Sequence, residues 1–475
     1  MTQTVELPLW ALVLILGFAA VTFASHFLFP SVRWFFRKRL ERAVARLNER
    51  LERPIEPFKL ARRYDMVQRL SYDPEVARAI AEHAAEEGIP EQVAFEKARG
   101  YAREIVPRFS ATAYFGFGIR LAKLLSRAFY RVRLGAFDEA RLKEVSPDAT
   151  VVFVMNHRSN MDYVLVTWLA AERSHLSYAV GEWARVWPLR ALIRSMGAYF
   201  IRRKSRNALY RKVLSRYVRM ATDGGVTQAM FPEGGLSLTG EVGPPKMGLL
   251  SYIIDGFDSE TSRDVVFLPV AMNYDRVLED RVLVAANIKG ARKFGLRFKY
   301  VARHVGTHLW QRITGRFHRF GYASVSFGAP LSLKDFVHQN DQKVPERIAR
   351  ELMDRIRDVV PVLPVPLVAA VMLEKDSHTR DEITDRFQTL AVDMERRGAH
   401  IHMPRNDLDY AVEVGLRLLM MRGLIVEDQG RYRVNAPDRV ILAFYANSIA
   451  HLSDAMTPVH ISDLSPADVA DAAQL

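Results

Sequence analysis

The chain has 475 residues, of which 49% are hydrophobic and 25% are charged, so it can form two or three domains with real cores. It contains no cysteine, which excludes disulfides, cysteine metal sites and a thiol nucleophile. The formal net charge of +13 indicates an acidic partner, whether nucleic acid, anionic lipid, a phosphorylated substrate or an acidic carrier protein.

The first predicted element is a membrane-spanning helix. The segment Leu7 to Phe29 comprises 23 residues without Asp, Glu, Lys or Arg, enough to cross a hydrocarbon core about 30 Å thick. A short acidic head precedes it, rather than the basic region of a cleaved signal peptide. We expect residues 1–30 to be a single-pass anchor; the alternative is a long helix buried in a protein core.

A basic segment follows the predicted anchor. Residues 31–63 carry eleven Lys and Arg against four Glu, which by the positive-inside rule places the body of the protein on the cytoplasmic side of the membrane. Trp34, Phe35 and Leu40 alternate with these cations at near-helical spacing. This pattern favours an amphipathic juxtamembrane segment on an anionic membrane surface, with a solvated helix as the alternative.

The body begins with a helical stretch, residues 64–140, in which no chemistry is apparent. The pattern then changes to short β-branched runs alternating with helical segments, which predicts an α/β layered domain over residues 141–335 with a mixed, mostly buried sheet. The predicted strands are Ala149–Met155, Leu176–Val180, Tyr199–Arg202, Val226–Phe231, Val265–Asn273 and Ser324–Phe327.

Residues 336–475 are predicted to be mainly helical. An apolar run, Val362 to Leu373, is interrupted by Pro364 and Pro366 and is too short for a membrane span. Two helices and a small hairpin around Asp428-Gln429-Gly430 follow, as they would in a winged-helix DNA-binding domain. Many acidic residues on these helices, and the lack of a dense basic stripe, disfavour nucleic acid as the partner.

The clearest chemical signal is a His and an Asp that bracket a polar turn. The run Val151 to Val154 ends in the turn Asn156 to Asn160, and an apolar helical segment follows. Across a strand end, a turn and a first helical turn, His157 and Asp162 can point at the same spot. This arrangement suits a general base and the carboxylate that orients it, although a lone histidine is more often structural.

Two further strand ends carry groups suited to an anion. Arg202 and Arg203 end a short apolar run, and arginine matches phosphate oxygens bidentately. The strand ending at Phe231 is followed by Glu233, Gly234 and Gly235, whose glycines let backbone N–H groups approach an anion.

Lys246 and Pro269 complete the set of candidate site residues. Lys246 is a plausible additional phosphate ligand or a surface lysine at a helix start. Pro269, within a strand, removes a ladder donor and so indicates an edge, a bulge or the wall of a groove. Its apolar neighbours would flank an acyl chain, or they are ordinary core.

These motifs and their order resemble the four sequence blocks of the glycerolipid acyltransferase superfamily. The blocks read His-x4-Asp, then Gly-Ala-Tyr-Phe-Ile-Arg-Arg, then Pro-Glu-Gly-Gly, then Leu-Pro-Val. The form His157-Arg-Ser-Asn-Met-Asp162-Tyr is similar to the bacterial membrane glycerol-3-phosphate acyltransferases in particular, as is the long C-terminal region.

The resemblance implies transfer of a fatty acyl group from acyl-CoA or acyl carrier protein to the 1-hydroxyl of glycerol 3-phosphate, with no metal or organic cofactor. His157 would be the base and Asp162 its partner, while Arg202, Arg203, Glu233, Gly234, Gly235 and Lys246 would bind the acceptor. In the family, Glu-Gly-Gly usually continues with two arginines; here the equivalent positions are Leu236 and Leu238. The alternatives are therefore a lysophospholipid or other hydroxyl acceptor, or a non-catalytic lipid-binding protein.

A second basic stretch has no acidic residue from Arg281 to Lys334. Interleaved aromatic residues make it a candidate for docking on anionic lipid or on an acidic carrier protein. His304 and His308 share one helical face, but no carboxylate lies near them in sequence, so a metal site is not expected.

Overall fold

The structure is a computed structural model that describes residues 55–170, 176–180, 189–202, 205, 207–290, 320–337 and 343–463, together with Pro8 and Leu16. Residues 1–55 and 56–475 are separate compact units. Nearly all of the predicted anchor, and residues 31–54 of the basic segment, lie outside the described residues. No described helix is long and apolar enough to cross a membrane.

The second unit is built around a mixed sheet, as predicted. Its strands are β1 Arg131–Leu134, β2 Thr150–Met155, β3 Ser177–Val180, β4 Tyr199–Phe200, β5 Gln228–Met230, β6 Val265–Tyr274, β7 Tyr322–Phe327 and β8 Leu331–Ser332. The order is β1-β7-β6-β2-β5-β3-β4, with β8 also paired to β6. Strands β2 to β6 run parallel to one another, while β7 and β8 pair antiparallel with β6.

The sheet is buried because both faces are covered. Alternate residues of β2 belong to different cores: Val152 and Val154 to one, Val151 and Phe153 to the other. This alternation follows from the two-residue period of a strand. An uninterrupted β-branched run is therefore what a doubly covered parallel strand requires.

The helices that precede and follow the central strands are divided between the two cores. These helices are α1 Pro57–Leu60, α2 Arg63–Ser71, α3 Pro74–Glu87, α4 Glu91–Ile105, α5 Ile119–Phe129, α6 Glu139–Lys143, α7 Met161–Ala170, α8 Leu189–Ser195, α9 Ala208–Asp223, α10 Gly248–Ile254 and α11 Asp280–Ile288, with a π-helical turn at Thr112–Gly118. Arg216 on α9 forms an ion pair with Asp73 (Nη2 to Oδ2, 2.7 Å). Asp73 also caps the N-terminus of α3, so the pair links the two helices.

The C-terminal region is largely helical, as predicted, with a small sheet. Its elements are α12 Leu333–Phe336, α13 Val344–Asp358, α14 Pro364–Glu374, β9 Ser377–Thr379, α15 Arg380–Arg396, α16 Leu408–Met420, β10 Ile425–Asp428, β11 Arg431–Val434 and α17 Arg439–Ala446. Leu367 of α14 and Phe444 of α17 share one core with Phe153 and Leu165. The C-terminal region therefore packs directly on the α/β sheet.

Two local features differ from the sequence interpretation. Pro364 and Pro366 do not interrupt an apolar helix; they lie in its first turn, where backbone N–H groups have no intrahelical acceptor. Strand β1 falls in the stretch predicted to be helical, and it pairs with β7 along Arg131 to Leu134. Its partner is nearly two hundred residues away, so local pattern could not indicate it.

Candidate active site

The candidate site forms where parallel strands end. His157 follows β2, the Glu233 loop follows β5, and Tyr274 ends β6, and these three strands are neighbours. Because parallel strands have their carboxyl ends at one edge of the sheet, the first, third and fourth sequence blocks meet there. The second block ends β4, which lies at the sheet edge beyond β5 and β3.

His157 and Asp162 are in contact. The distance from His157 Nδ1 to Asp162 Oδ2 is 2.9 Å, and the two side chains are 2% and 0% exposed. Asp162 lies in the first turn of α7, so the turn between β2 and α7 folds it back onto the histidine. With Nδ1 directed at the carboxylate, Nε2 is the ring nitrogen that can exchange a proton with a substrate.

The Asp162 carboxylate is held by several donors. Its Oδ2 also accepts hydrogen bonds from the backbone N–H groups of Arg158 (2.7 Å) and Ser159 (3.0 Å). Its Oδ1 accepts a hydrogen bond from the Tyr274 hydroxyl at 2.5 Å. Burial, followed by the Asp162 charge, raises the pKa of Tyr274 well above its ordinary value, so this hydroxyl remains a donor.

The His157 ring and backbone are fixed separately. The ring stacks on Phe231 with centroids 4.0 Å apart and meets the Tyr163 ring edge-on. The backbone N–H donates to Glu233 Oε1 (2.8 Å), and the backbone carbonyl accepts from the Ser237 N–H (2.9 Å). The loop of the third block thus hydrogen-bonds to both backbone groups of the histidine.

Glu233 is buried, and its carboxylate organises this loop. Its Oε2 accepts a hydrogen bond from the Gly243 N–H at 3.0 Å. Burial raises the pKa of Glu233 to about 7, although the backbone donors of Gly243 and His157 oppose that rise. The contacts describe a residue that positions His157 and closes the loop.

Gly234 and Lys246 lie against each other. Gly234 has φ of +66°, and a Cβ added to it would lie 2.8 Å from Lys246 Cδ and 3.2 Å from Nζ. A side chain at position 234 would therefore displace the lysine. The ammonium group stands beside the glycine pair, where the sequence predicted an anion site, and Gly235 is half-buried next to it.

Arg202 is engaged away from His157. Its guanidinium forms a bidentate pair with Glu104 (Nη2 to Oε2, 2.6 Å) and lies over the rings of Tyr101 and Tyr210. Glu104 raises the pKa of Arg202. Arg203 lies outside the described residues, so the prediction for both arginines stays a prediction.

Pro269 is buried within the sheet and does not lie on an outer strand. Its carbonyl accepts a hydrogen bond from the Gly328 N–H at 2.9 Å, on the side facing β7 and β8. Pairing with β8 covers Val266 and Phe267, and pairing with β7 begins at Val270. Pro269, which has no N–H to donate, thus lies between the part of β6 that pairs with β8 and the part that pairs with β7. The role of Pro269 in an acyl groove stays a prediction.

Sequence reasoning missed residues whose roles depend on distant contacts. The Asn156 side chain extends the pairing of β2 with β6. Its Nδ2 donates to the Met272 carbonyl (3.0 Å), and its Oδ1 accepts from the Met272 N–H (2.8 Å). Glu279 accepts hydrogen bonds from the Ser159 hydroxyl and the Asn160 N–H, and burial raises its pKa to about 7. In the sequence, the polar character of the turn Asn156 to Asn160 is the signal that its side chains have buried polar partners.

Arg158 was also missed. Its side chain is only 1% exposed, donates to the Gly240 carbonyl and lies 4.8 Å over the Phe444 ring. Burial lowers its pKa to about 10, against the opposing effect of Tyr445 and Asp162. Through Arg158 the turn between β2 and α7 touches α17 of the C-terminal region.

Metal ligands are not clustered in the part of the chain that the structure describes: no group there has three or more His, Asp or Glu side chains able to hold an ion. His304, His308 and most of the second basic stretch lie outside the described residues.

Two regions of the chain match acyltransferase family models. Residues 139–273 match the family model described as Acyltransferase, and residues 311–453 match the one described as Glycerol-3-phosphate acyltransferase C-terminal region. The predicted resemblance to the glycerol-3-phosphate acyltransferases is thereby confirmed.

Relatives with that name align over most of the chain. The glycerol-3-phosphate acyltransferase of Xanthomonas campestris is 26% identical over 445 residues, covering 87% of this chain and 48% of the relative. That of Pseudomonas syringae is 27% identical over 426 residues, covering 83% and 49%. The chain spans about half the length of these relatives.

Among solved structures, the 1-acyl-sn-glycerophosphate acyltransferase of Thermotoga maritima aligns at 19% identity with a TM-score of 0.30, covering 51% of this chain and 77% of that one.

Proposed function

We propose that this chain transfers a fatty acyl group from an acyl thioester to the 1-hydroxyl of glycerol 3-phosphate, giving lysophosphatidate for phospholipid synthesis. The observation that carries the proposal is the buried contact between His157 Nδ1 and Asp162 Oδ2, 2.9 Å long, at the strand end of a matched acyltransferase domain. The curated relatives named above support the choice of acceptor.

In the proposed mechanism, His157 Nε2 accepts the proton of the acceptor hydroxyl as its oxygen attacks the thioester carbonyl. The tetrahedral intermediate then collapses, forming the ester bond and breaking the carbon–sulfur bond. The imidazolium returns its proton to the departing thiolate. Asp162 stabilises the imidazolium and keeps Nδ1 protonated, because its carboxylate is fixed by Tyr274 and two backbone donors.

For the acceptor phosphate, Lys246 is the best supported of the predicted ligands. Leu236 and Leu238, which stand where the family has arginines, pack against the hydrophobic core and offer no charge. The Lys246 ammonium lies beside Gly234 in the same loop. Arg202 could contribute only by exchanging Glu104 for phosphate. Arg203, Glu233 and Gly235 complete the proposed acceptor site.

The decisive experiment offers purified full-length protein a labelled acyl thioester with glycerol 3-phosphate and lysophosphatidate in parallel. Transfer to glycerol 3-phosphate is expected, and it should vanish in His157→Ala while the melting temperature stays close to that of the parent. Arg386→Gln, at a side chain that is 34% exposed and paired with Glu374, serves as a control for handling and folding. Near-normal turnover by His157→Ala would exclude the mechanism.

A second acceptor class is favoured by one observation, the two leucines after the glycine pair. Removing two cations weakens recognition of a small phosphorylated acceptor, since each charge-assisted hydrogen bond contributes about 1.5–3 kcal/mol. Transfer to lysophosphatidate alone would identify the protein as a lysophospholipid acyltransferase. Transfer to neither acceptor would leave the non-catalytic lipid-binding alternative.

Membrane attachment is proposed on sequence grounds. Residues 1–30 would anchor the chain in the inner membrane, and residues 31–63 would lie on its anionic cytoplasmic surface. Acyl-CoA or acyl carrier protein would then deliver the acyl group from the cytoplasm. We also propose that the acyltransferase domain comprises residues 141–335, between the helical stretch 64–140 and the C-terminal region 336–475.

A further inference from the structure

A cavity lies between the end of β6 and the C-terminal helices. It has a volume of about 60 Å³, and its lining includes Asp275, Arg276, Phe320 and Arg422. A single water needs about 10–15 Å³ measured in this way. The cavity therefore has room for a group of about four or five heavy atoms.

Arg276 brings a poorly compensated positive charge to this cavity. Its guanidinium lies 4.3 Å over the Phe320 ring, and it forms no ion pair with any carboxylate of the described residues. Burial, and after it the nearby Arg422 guanidinium, lowers the pKa of Arg276. The chain around Phe320 cannot supply a counter-ion, because Asp and Glu are absent between Arg281 and Lys334.

Arg422 supplies a second guanidinium, from the end of α16. One nitrogen pairs with Asp280, and another donates to the Tyr445 hydroxyl at 3.1 Å. Tyr445 in turn donates to the same Asp280 oxygen at 2.5 Å. Arg422 is thus held rigidly at the cavity wall, as a binding group should be.

The carboxylates at the cavity are already paired. Asp275 accepts hydrogen bonds from the backbone N–H groups of Tyr322 (2.7 Å) and Val365 (2.9 Å), one on each oxygen. Asp280 is occupied by Arg422 and Tyr445. Among the described residues that line the cavity, Arg276 is the charged side chain without a hydrogen bond or ion pair.

We propose that this cavity binds a phosphate monoester group, held by the Arg276 and Arg422 guanidinium groups. Arginine presents planar pairs of N–H donors that match phosphate oxygens, and a phosphate group has the five heavy atoms that the volume allows. Two guanidinium groups that repel each other are stabilised together by an anion between them.

The phosphate could belong to the acceptor or to the donor. Glycerol 3-phosphate is itself a monoester, and coenzyme A carries a 3′-phosphate that dephospho-coenzyme A lacks. The cavity lining starts at Asp275, the residue after Tyr274, whose hydroxyl contacts Asp162. The inference rests on the proposed function only for this choice of ligands.

The test is isothermal titration calorimetry on full-length protein, with inorganic phosphate, glycerol 3-phosphate, coenzyme A and dephospho-coenzyme A as separate probes. No acyl donor is present, so binding is measured without turnover, and failure of the proposed acyl transfer would not affect the result. Arg276→Gln is the main variant, because the Arg276 side chain makes no hydrogen bond to the part of the chain that the structure describes. Arg386→Gln removes one surface arginine elsewhere and is the matched control.

The parent and Arg386→Gln should bind phosphate, and Arg276→Gln should bind it about ten- to a hundredfold more weakly. If that loss extends to glycerol 3-phosphate, the site belongs to the acceptor; if it removes the preference for coenzyme A over dephospho-coenzyme A, the site belongs to the donor. Failure of the parent to bind any probe, or equal binding by Arg276→Gln, would overturn the proposal.

Discussion

At the scale of single residues, the site depends on how firmly Asp162 is held. Four hydrogen bonds reach its two oxygens, from His157, Tyr274 and two backbone N–H groups. The tyrosine bond is the shortest of them at 2.5 Å, and it comes from the neighbouring strand β6. Tyr274 is therefore a positioning residue, since it would act on the reaction through Asp162.

Tyr274→Phe should lower the unfolding free energy by about 1.5–3 kcal/mol, because a hydrogen bond to a charged group is lost. It should also slow acyl transfer, by roughly tenfold, since a barrier higher by about 1.4 kcal/mol has that effect. The matched control is Tyr178→Phe, which removes a buried bond of 2.9 Å to Thr167. Denaturant unfolding and turnover are measured for both; a slowed control and an unaffected Tyr274→Phe would contradict the assignment.

Glu233 predicts a pH dependence of stability. Burial raises its pKa from 4.5 to about 7, so the folded state binds more protons than the unfolded state between these values. Stability contributed by this group is present below pH 4.5 and is lost as the pH rises through 7.

Compared with Glu233→Gln, the parent should therefore lose about 3 kcal/mol of unfolding free energy between pH 4.5 and pH 8. Urea unfolding at several pH values measures this difference, in which other titrating groups cancel. Glu96→Gln, at a side chain that is 49% exposed, is the control for the substitution itself. A difference between Glu233→Gln and the parent that stays constant with pH would show that the carboxyl is not desolvated.

At the scale of elements, the loop after β5 packs between α17 and the turn that joins β2 to α7. Gly240 has φ of +95°, and a Cβ added to it would lie 1.9 Å from the Phe444 carbonyl oxygen. Asn447 Nδ2 donates to the Thr239 carbonyl at 3.1 Å, and Arg158 bonds to Gly240 from the other side. The same loop hydrogen-bonds to the backbone N–H and carbonyl of His157, so a shift of α17 would also displace the histidine.

Gly240→Ala should cost about 1–2 kcal/mol for the left-handed backbone and about 1–3 kcal/mol more for the clash with α17. Gly398→Ala is a close control, because its φ is +88° and an added Cβ would meet nothing within 4 Å. Only the Gly240 variant should also reduce acyl transfer. Equal stability losses in the two variants would mean that the contact with Phe444 is not tight.

At the scale of the whole molecule, the sequence predicted what is local and missed what is assembled from distant parts. Strands β2 and β6 were predicted because fully buried strands require uninterrupted apolar runs. His157 and Asp162 were found because one turn holds both. Strand β1 and the burial of Arg158 were not, since β1 depends on β7 and the Arg158 pocket is completed by Phe444.

The shared core has a consequence for dividing this chain. The matched regions, residues 139–273 and 311–453, are recognised separately in sequence, yet their apolar side chains form one continuous cluster. A boundary that is clear to sequence comparison is therefore not a boundary for folding. A chimaera that exchanged only the second region would replace Phe444, the ring on which Arg158 packs, and with it part of the shared core.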